Sequence, residues 1–269
     1  MTTTPTPNTN PNPQQPYTHP SITAVTFNTR GMHTTLLDLQ DILHKHATPQ
    51  IIALTETKHR HIKSIWRHTL RNYKLIYNPS IYNKATKRAS GGTILAIHST
   101  NYKTIDPIRV PTPYQPYLSI AKLTPKQGDP LLAISAYLPQ ANTQQGKQTY
   151  QATLTWLATL LTQEHPDLPV LLGGDLQGTP AQHHTSHTTH LTTFCTTTSL
   201  KHIGDPTTPT FLPSNAPLDH WLIRLPPTPD LAHADTTITT MNTNHSDHCA
   251  LTAHIPQIGD NPTTASSAR

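Results

Sequence analysis

The sequence is short of charge, of acidic residues above all, and of cysteine. Charged residues occupy 12% of the 269 positions, and 14 acids stand against 19 Lys and Arg, so the formal net charge is +5. Two cysteines, Cys195 and Cys249, cannot build a disulfide framework, and no CxxC metal spacing occurs. No apolar run approaches the ~20 residues of a membrane-spanning helix. These absences exclude a disulfide-stabilised secreted domain and a membrane protein. They predict an intracellular protein with an anionic partner.

Threonine, proline and histidine are abundant instead, with 27 Pro and 19 His. Spread evenly, such a composition is typical of a disordered chain, but dense apolar runs interrupt it and are sufficient to form a core. Residues 1–20 and 257–269 lack these runs, so we expect a disordered leader, one domain at 21–256, and a disordered tail or linker. Because the excess extends along the whole chain, a single Thr, Pro or His carries little functional information.

Helix-like and strand-like patterns alternate through the predicted domain. Apolar residues recur at helical spacing in three segments, His33–His46, Ile62–Leu70 and Gly146–Thr162. Alternating or continuous apolar runs predict eight strands, which are Ser21–Phe27, Ile51–Leu54, Thr93–His98, Tyr117–Leu123, Leu131–Tyr137, Val170–Leu172, Trp221–Ile223 and Cys249–Ala253. The mixture of hairpin-like pairs and strand–helix–strand units predicts an α/β fold of sheets packed on each other and covered by helices.

The few acids fall at informative positions, because several of them stand where a predicted strand begins or ends. α/β enzymes assemble their sites from polar residues at strand ends. The residues of this kind are Asn28, Glu56, Tyr137, Asp175, Asp219, Asp247 and His248. Carboxylate and amide oxygens hold a hard divalent cation, while a base and a hydrogen-bonded His serve attack on phosphorus. The set predicts Mg²⁺-assisted hydrolysis of a phosphodiester.

Five of these residues also have a plainer interpretation when taken singly. Asn28, Asp175 and Asp219 are typical of turns and caps, Glu56 of a solvated acid facing Lys58, and Tyr137 of a half-buried sheet position. Only their joint order along the chain favours a site over these alternatives.

Eight segments in order resemble the endonuclease/exonuclease/phosphatase superfamily. They are TFNTRG, LTETK, SGGTILAI, SAYLPQ, GGDLQGTP, PTF, LDHWLI and SDHCAL, and they extend from Ser21 to His254. Within the superfamily the sequence is most similar to the apurinic-endonuclease-like nuclease domain of non-LTR (LINE-type) retrotransposons. The resemblance implies a four-layered α/β sandwich, with two mixed β-sheets packed face to face and flanked by helices.

The resemblance also implies roles for individual residues. Asp175 would orient or deprotonate the attacking water, His248 would contact the scissile phosphate with Asp219 holding its ring, and Tyr137 would hydrogen-bond the phosphate. The implied ligands of Mg²⁺, or of Mn²⁺ in its place, are Glu56, Asn28 and Asp247. The implied substrate-binding residues are Arg88, Thr210 and Ser246.

Two positions depart from the family pattern. The family's GDxN is here Gly174-Asp175-Leu176-Gln177, and its YxPN ends at Gln140. One extra methylene displaces an amide by about 1 Å, which in a tight site costs ~10²-fold in rate. Gln177 therefore belongs to the predicted catalytic residues, but it is the one of them that departs from the residue type of the family motif.

The function that the resemblance implies is a nuclear endonuclease that nicks double-stranded DNA and leaves a 3′-hydroxyl. In a retrotransposon that end primes reverse transcription, so a reverse transcriptase domain in a longer parent polyprotein is the expected partner. The alternatives are an abasic-site endonuclease, a phosphomonoesterase of the same superfamily, or a DNA-binding remnant impaired by Gln177.

Two further clusters have weaker patterns. The histidines at 183, 184, 187 and 190 resemble a zinc cluster, but no Cys or acid completes it, so we expect a polar, mobile loop there. Lys84, Lys87 and Arg88 precede Gly91-Gly92 and are typical either of a solvated loop or of a contact with a DNA backbone.

Overall fold

Two six-stranded sheets form the centre of the molecule. The computed structural model describes residues 22–84, 87–140, 143–179, 186–225, 234–239, 241–242 and 244–255. The first sheet contains, in spatial order, β13 (Asp235–Thr239), β14 (Ala250–Ile255), β1 (Ile22–Asn28), β2 (Ile51–Thr55), β6 (Thr93–His98) and β3 (Tyr73–Asn78). The second contains β11 (Lys201–His202), β12 (Asp219–Arg224), β10 (Val170–Asp175), β9 (Leu131–Tyr137), β8 (Leu118–Pro125) and β7 (Tyr102–Ile108).

Both sheets are mixed, and a separate hairpin stands beside them. β1 pairs with β2 in parallel and β9 pairs with β10 in parallel, whereas the other pairs are antiparallel. The hairpin joins β4 (Ile81–Asn83) to β5 (Arg88–Ser90). The helices are α1 (Leu36–Lys45), α2 (Ser64–Thr69), α3 (Gln144–Thr159), continued by a π-helical turn at Leu160–Glu164, and α4 (Ser186–Thr198).

Three apolar clusters hold four layers together. The inner faces of the two sheets meet in a core that includes Ala53, Leu131 and Trp221. Helices α1 and α2 cover the outer face of the first sheet, and α3 and α4 cover the outer face of the second. Buried apolar area is the dominant favourable term in folding, so these clusters fix the order of the layers. The predicted four-layered α/β sandwich is confirmed.

The predicted strands and helices are present, with ends shifted by a few residues. The pattern did not predict β3, β7, β11, β13, the β4–β5 hairpin or α4. These elements are short, lie at sheet edges, or are rich in threonine, so their apolar periodicity is weak. The predicted leader and tail lie outside the described residues, and the domain limits stay predictions.

The predicted polar loop around the histidine cluster is wrong where the structure describes it. His187 and His190 lie in α4, which buries Leu191 and Phe194 against α3. The His187 ring also stacks on Tyr150, with 4.1 Å between the ring centroids. Threonine has low helix propensity, so tertiary packing rather than local preference stabilises this helix. The histidines at 183 and 184 lie outside the described residues.

No helix among the described residues combines the length and the apolar character that crossing a membrane requires.

The parallel pairs bring two polar edges to the same end of the sandwich. Asn28, the last residue of β1, is in register with Thr55 of β2, so Glu56 lies beside it. Asp175, at the end of β10, is in register both with Tyr137 of β9 and with Asp219 of β12. Strand ends from both sheets therefore present their polar residues at one edge.

The ring of Trp221 lies over Gly173, its partner in register on the neighbouring strand, and leaves no room there for a side chain. A Cβ at Gly173 would come within 2.4 Å of the Trp221 ring, whereas a Cβ at Gly178 meets nothing closer than 3.4 Å. We expect Gly173→Ala to lower the free energy of unfolding by about 1–3 kcal/mol, because a buried indole ring has no room to move aside. Gly178→Ala is the matched control and should change it by less than about 0.5 kcal/mol. Urea unfolding measures both, and equal stabilities would contradict this account of the packing.

Candidate active site

The polar strand ends form one cluster of buried side chains. Asp175, Asp219 and His248 have ligand atoms that all lie within 4.8 Å of one another, and all three are buried. Asn28 is 1% exposed and joins them, since its Nδ2 donates to Asp175 Oδ2 at 2.8 Å and lies 3.4 Å from His248 Nε2. β1, β10 and β12 therefore each contribute a polar residue to one centre, with His248 from the segment that leads into β14.

His248 is held by the Asp219 carboxylate. Its Nδ1 lies 2.6 Å from Asp219 Oδ2, a length typical of a strong charge-assisted hydrogen bond. Burial disfavours the charged ring, but Asp219, together with Asp175 and Asp247, outweighs that effect and raises the pKa of His248 to about 9. The geometry places Nδ1 to donate to Asp219, and Nε2 faces the centre of the cluster.

Asp175 is the most deeply buried acid of the cluster. Its Oδ1 accepts from the backbone N–H of Gln177 at 3.1 Å, and its Oδ2 accepts from the Gln177 side chain at 2.7 Å. These donors favour the carboxylate. Burial and the neighbouring Asp219 charge act more strongly in the other direction and raise the pKa of Asp175 well above the ordinary range of an Asp. A carboxylate with a raised pKa is a better base near neutral pH.

Glu56 and Asp247 lie at the edge of this cluster, and each is paired with a cation. Glu56 Oε2 lies 2.8 Å from Lys58 Nζ, and Asp247 Oδ2 lies 2.5 Å from Arg30 Nη1. The Lys58 pair is the contact expected from the plainer interpretation of Glu56. The same carboxylate also accepts from the Tyr137 hydroxyl at 2.7 Å, so it is tied to the second sheet.

Tyr137 keeps its proton in this environment. Burial, with the charges of Glu56 and Asp175, raises the pKa of Tyr137 well above its ordinary value. A phenol that does not ionise is a hydrogen-bond donor at any physiological pH.

The backbone is strained where these residues sit. Nine described non-glycine residues have positive φ, and four of them, Arg30, Glu56, Lys58 and Gln177, carry side chains of the cluster or its ion pairs. Left-handed conformations of this kind persist where the surrounding structure holds them, and they concentrate at functional sites. Gln177, at φ 53°, occupies a conformation that Asn adopts more readily than Gln.

Two predicted substrate contacts are engaged in supporting the cluster. Thr210 Oγ1 accepts from the backbone N–H of Leu218 and of Asp219, at 3.1 and 2.9 Å. Ser246 Oγ donates to the Asn28 carbonyl at 2.7 Å and accepts from the His248 N–H at 3.1 Å. Both hydroxyls therefore hold the backbone behind the reactive side chains. Arg88 is exposed on β5, outside the cluster, and Gln140 is exposed as well.

Helix α1 carries two acids that sequence reasoning did not select. Asp38 is fully buried and accepts from both the backbone N–H and the ring Nδ1 of His245, at 3.0 and 2.8 Å. Asp41 accepts from the backbone N–H of Asn242 at 2.8 Å. The two acids stand about one helical turn apart and fasten the segment that leads to Asp247 and His248. Their i, i+3 spacing in a sequence with so few acids was the available signal.

The donor set fits a hard divalent cation. Carboxylate oxygens predominate, and Asp219 Oδ1 is buried with no hydrogen-bond partner among the described residues. The three predicted ligands, Glu56, Asn28 and Asp247, border the same cluster, the first and last through ion pairs with partly exposed cations. These observations support a metal site here, and its ligand set stays a prediction.

Comparison with known proteins gives a consistent assignment. Residues 25–249 match the profile of the Endonuclease/Exonuclease/phosphatase family. The fold is similar to that of the endonuclease domain of TRAS1, a telomere-specific non-LTR retrotransposon, at 12% identity and a TM-score of 0.64 over 88% of this chain and 98% of that one. It is also similar to the AP endonuclease LMAP from Leishmania major, at 14% identity and a TM-score of 0.63 over 88% of each chain.

A third structure, the catalytic domain of Xenopus laevis APE2, aligns at 16% identity and a TM-score of 0.60 over 89% of this chain and 94% of that one. At such identities the structural likeness shows a shared fold alone. No curated protein sequence matches the chain.

The raised pKa values make stability depend on pH in a defined direction. Both Asp175 and His248 bind protons more tightly in the folded chain than in the unfolded chain. Stability is therefore greatest at low pH within this window and falls as the pH rises toward about 9, where His248 deprotonates. We expect metal-free protein to lose on the order of 3 kcal/mol between pH 6 and 9.5, from the His248 shift alone.

The measurement is urea unfolding in EDTA across that pH range. Asp219→Asn removes the charge that raises the pKa of His248, so its profile should be flatter than that of the wild type. Parallel profiles for the two proteins would contradict the assigned ion pair.

Proposed function

The chain belongs to the Endonuclease/Exonuclease/phosphatase family, and we propose that it is a divalent-metal-dependent endonuclease that nicks one strand of duplex DNA and leaves a 3′-hydroxyl. The observation that carries the proposal is the buried arrangement of Asp175 opposite the Asp219–His248 pair. It combines a carboxylate that can act as base with an imidazole that can donate to phosphate, and phosphodiester hydrolysis can use both.

The residues act as follows in the proposed reaction. Asp175, oriented by Asn28 and Gln177, accepts the proton of the attacking water. His248, kept protonated by Asp219, donates from Nε2 to a non-bridging phosphate oxygen as negative charge accumulates there. The Tyr137 hydroxyl, which donates to Glu56 in this structure, is a second donor at this edge of the sheets. As the water oxygen bonds to phosphorus, the bond from phosphorus to the 3′ oxygen breaks, and that oxygen takes a proton from solvent to become the 3′-hydroxyl.

A bound Mg²⁺, or Mn²⁺ in its place, would neutralise charge on the phosphate and on the leaving oxygen. Glu56, Asn28 and Asp247 are the residues proposed to hold it. Lys58 and Arg30 form ion pairs with two of these three side chains, Glu56 and Asp247.

Duplex DNA is the proposed substrate because the chain carries net positive charge and a fold shared with DNA endonucleases. The likeness to the TRAS1 domain, and the ordered motifs, support a retrotransposon origin, with a nuclear site of action and a reverse transcriptase in a longer parent polyprotein. An abasic-site endonuclease and a phosphomonoesterase remain the competing activities of the family.

Nicking of supercoiled plasmid tests the proposal. In Mg²⁺ we expect the wild type to convert supercoiled to open-circular DNA whose ends a DNA polymerase extends directly. His248→Ala should lower the rate about 10²–10³-fold, because the donor to the developing charge is lost. His254→Ala is the matched control, since that histidine is exposed on β14 and pairs in register with Thr23, away from the cluster.

A second variant addresses the departure at Gln177. Asn suits the left-handed backbone there and has the shorter reach of the family motif, so Gln177→Asn should raise the rate by up to about 10²-fold. A wild type no faster than His248→Ala would overturn the nuclease assignment. Rescue of an inactive wild type by Gln177→Asn would establish the impaired remnant, and activity on inositol phosphates alone would establish the phosphatase.

A further inference from the structure

A basic cavity lies next to the catalytic cluster, on the side of Glu56. Its volume is about 620 Å³, and its walls come from the segment after β2 and from the β4–β5 hairpin. The side chains that matter here are Lys58, Arg60, Ser80, Tyr82, Lys84 and Lys87. We call this cavity the basic pocket.

The charge of the basic pocket has one sign. Lys58, Arg60, Lys84 and Lys87 line it, and no acidic side chain is among the described residues of its wall. Lys58 is paired with Glu56, whereas Lys84 and Lys87 are exposed and form no ion pair with a described acid. The charges of Arg60, Lys84 and Lys87 around one cavity repel one another, and an anion inside it would relieve that repulsion.

The floor of the basic pocket contains unsatisfied polar atoms. Ser80 is 8% exposed, and its Oγ is buried with no hydrogen-bond partner among the described residues. His59 Nε2, which also borders the pocket, is in the same condition. Buried polar atoms without partners are rare in folded proteins, and each one requires an explanation. An oxygen-rich anion lying over this floor supplies it.

Arg60 is arranged for such a ligand before it binds. Its guanidinium carbon lies 5.2 Å from the centroid of the Tyr82 ring. Cation–π contact limits the rotamers of the side chain and leaves the N–H edge of the guanidinium free for bidentate bonds to phosphate. Lys87 has positive φ, 55°, as do Lys58 in the same wall and Glu56 beside it.

The basic pocket and the catalytic cluster share a wall. Lys58 lines the pocket and pairs with Glu56, while Gly31 lines it and follows Arg30, the partner of Asp247. A DNA strand with its scissile phosphate at His248 has its adjoining phosphates on either side of that point. We propose that the basic pocket binds a backbone phosphate of the strand being cut, next to the scissile phosphate. This proposal rests on the proposed function, because the phosphate that it places in the pocket belongs to the DNA strand that the enzyme is proposed to cut.

Lys84 and Lys87 therefore take part in binding, and Arg88 does not. Lys87 and Ala89 line the pocket on either side of Arg88, which is not among the described residues of its wall. The sequence predicts Lys84, Lys87 and Arg88 alike as contacts with a DNA backbone, and the cavity places the first two of them around one site.

Binding of uncut DNA tests the proposal. The probe is a fluorescent duplex oligonucleotide, measured by anisotropy in Ca²⁺ in place of Mg²⁺ over a range of salt concentrations. Lys84→Gln/Lys87→Gln should weaken binding about 10-fold and reduce the slope of log K against log salt by about 1, the value for one lost phosphate contact.

The matched control removes the same charge elsewhere. Lys103 and Lys126 are exposed at the opposite end of the second sheet from the cluster. They lie next to Tyr102 and Pro125, which pair with each other, whereas Leu118, at the other end of β8, pairs with Ala136 beside Tyr137. Lys103→Gln/Lys126→Gln should leave the slope unchanged. Equal losses in the two double variants would show general electrostatic attraction and overturn the pocket.

A neutral backbone locates the contact. Methylphosphonate groups are placed singly along the strand to be cut, on both sides of the nick. We expect a methylphosphonate at one position, or at two adjacent ones, to weaken binding of the wild type about 10-fold relative to the unmodified duplex. The same substitution should weaken binding of Lys84→Gln/Lys87→Gln less than 2-fold, because that variant has already lost the contact. If the double variant is as sensitive as the wild type at every position, no phosphate of that strand lies in the pocket and the proposal fails.

Ser80→Ala separates binding from folding. The Ser80 hydroxyl has no partner within the described residues, so its loss should leave the melting temperature unchanged and weaken binding several-fold. Unchanged binding would overturn the role of the floor. The binding experiments use uncut DNA and so do not depend on cleavage. If the wild type binds DNA as expected but nicks none, the proposed function fails and the pocket does not.

Discussion

Repulsion between buried carboxylates is the constraint on which the rest of this structure depends. Asp175 and Asp219 end one strand and begin its neighbour in register, and both are buried. Two such charges are tolerated in a protein interior only when they are compensated. The chain does so in two ways: a positive charge on His248, and amide donors from Asn28 and Gln177. Two basic residues at the rim, Arg30 and Lys58, pair with the further carboxylates Asp247 and Glu56. His248, Asn28 and Gln177 are also the groups to which the proposed reaction gives a role.

The rigidity of the site follows from the same constraint. His248 and Asp247 lie on an irregular segment rather than within a strand, so something else must fix them. Asp38 of α1 and the hydroxyl of Ser246 provide the fixing hydrogen bonds. A carboxylate buried in a helix would otherwise be costly, and its two bonds to His245 explain its presence. The outer helical layer thus contributes to the geometry of the site as well as to the core.

Much of the fold and of the site could be predicted from the sequence. Glu56, Asp175 and Asp219 each flank an apolar run that a sheet must bury, so local pattern places them at strand ends. The pairing of Asp38 with His245 could not be predicted in this way, because 207 residues separate them and an acid in the first turn of a helix is ordinarily solvated. The sequence pointed to Lys84 and Lys87 but not to the basic pocket, because Lys58 and Arg60 on its other wall belong to a separate segment. For α4, a threonine-rich composition concealed the helical period.

The proposed reaction needs a divalent cation bound beside the buried carboxylates, and thermal unfolding tests for that cation most directly. We expect the melting temperature of the wild type to rise in Mg²⁺ relative to EDTA at matched ionic strength. At 100 times the dissociation constant the stabilisation is about 2.7 kcal/mol, which for a domain of this size is roughly 5–10 °C. Glu56→Gln should abolish most of that rise. An equal melting temperature in Mg²⁺ and EDTA, or a full rise in the variant, would contradict the metal site at this cluster.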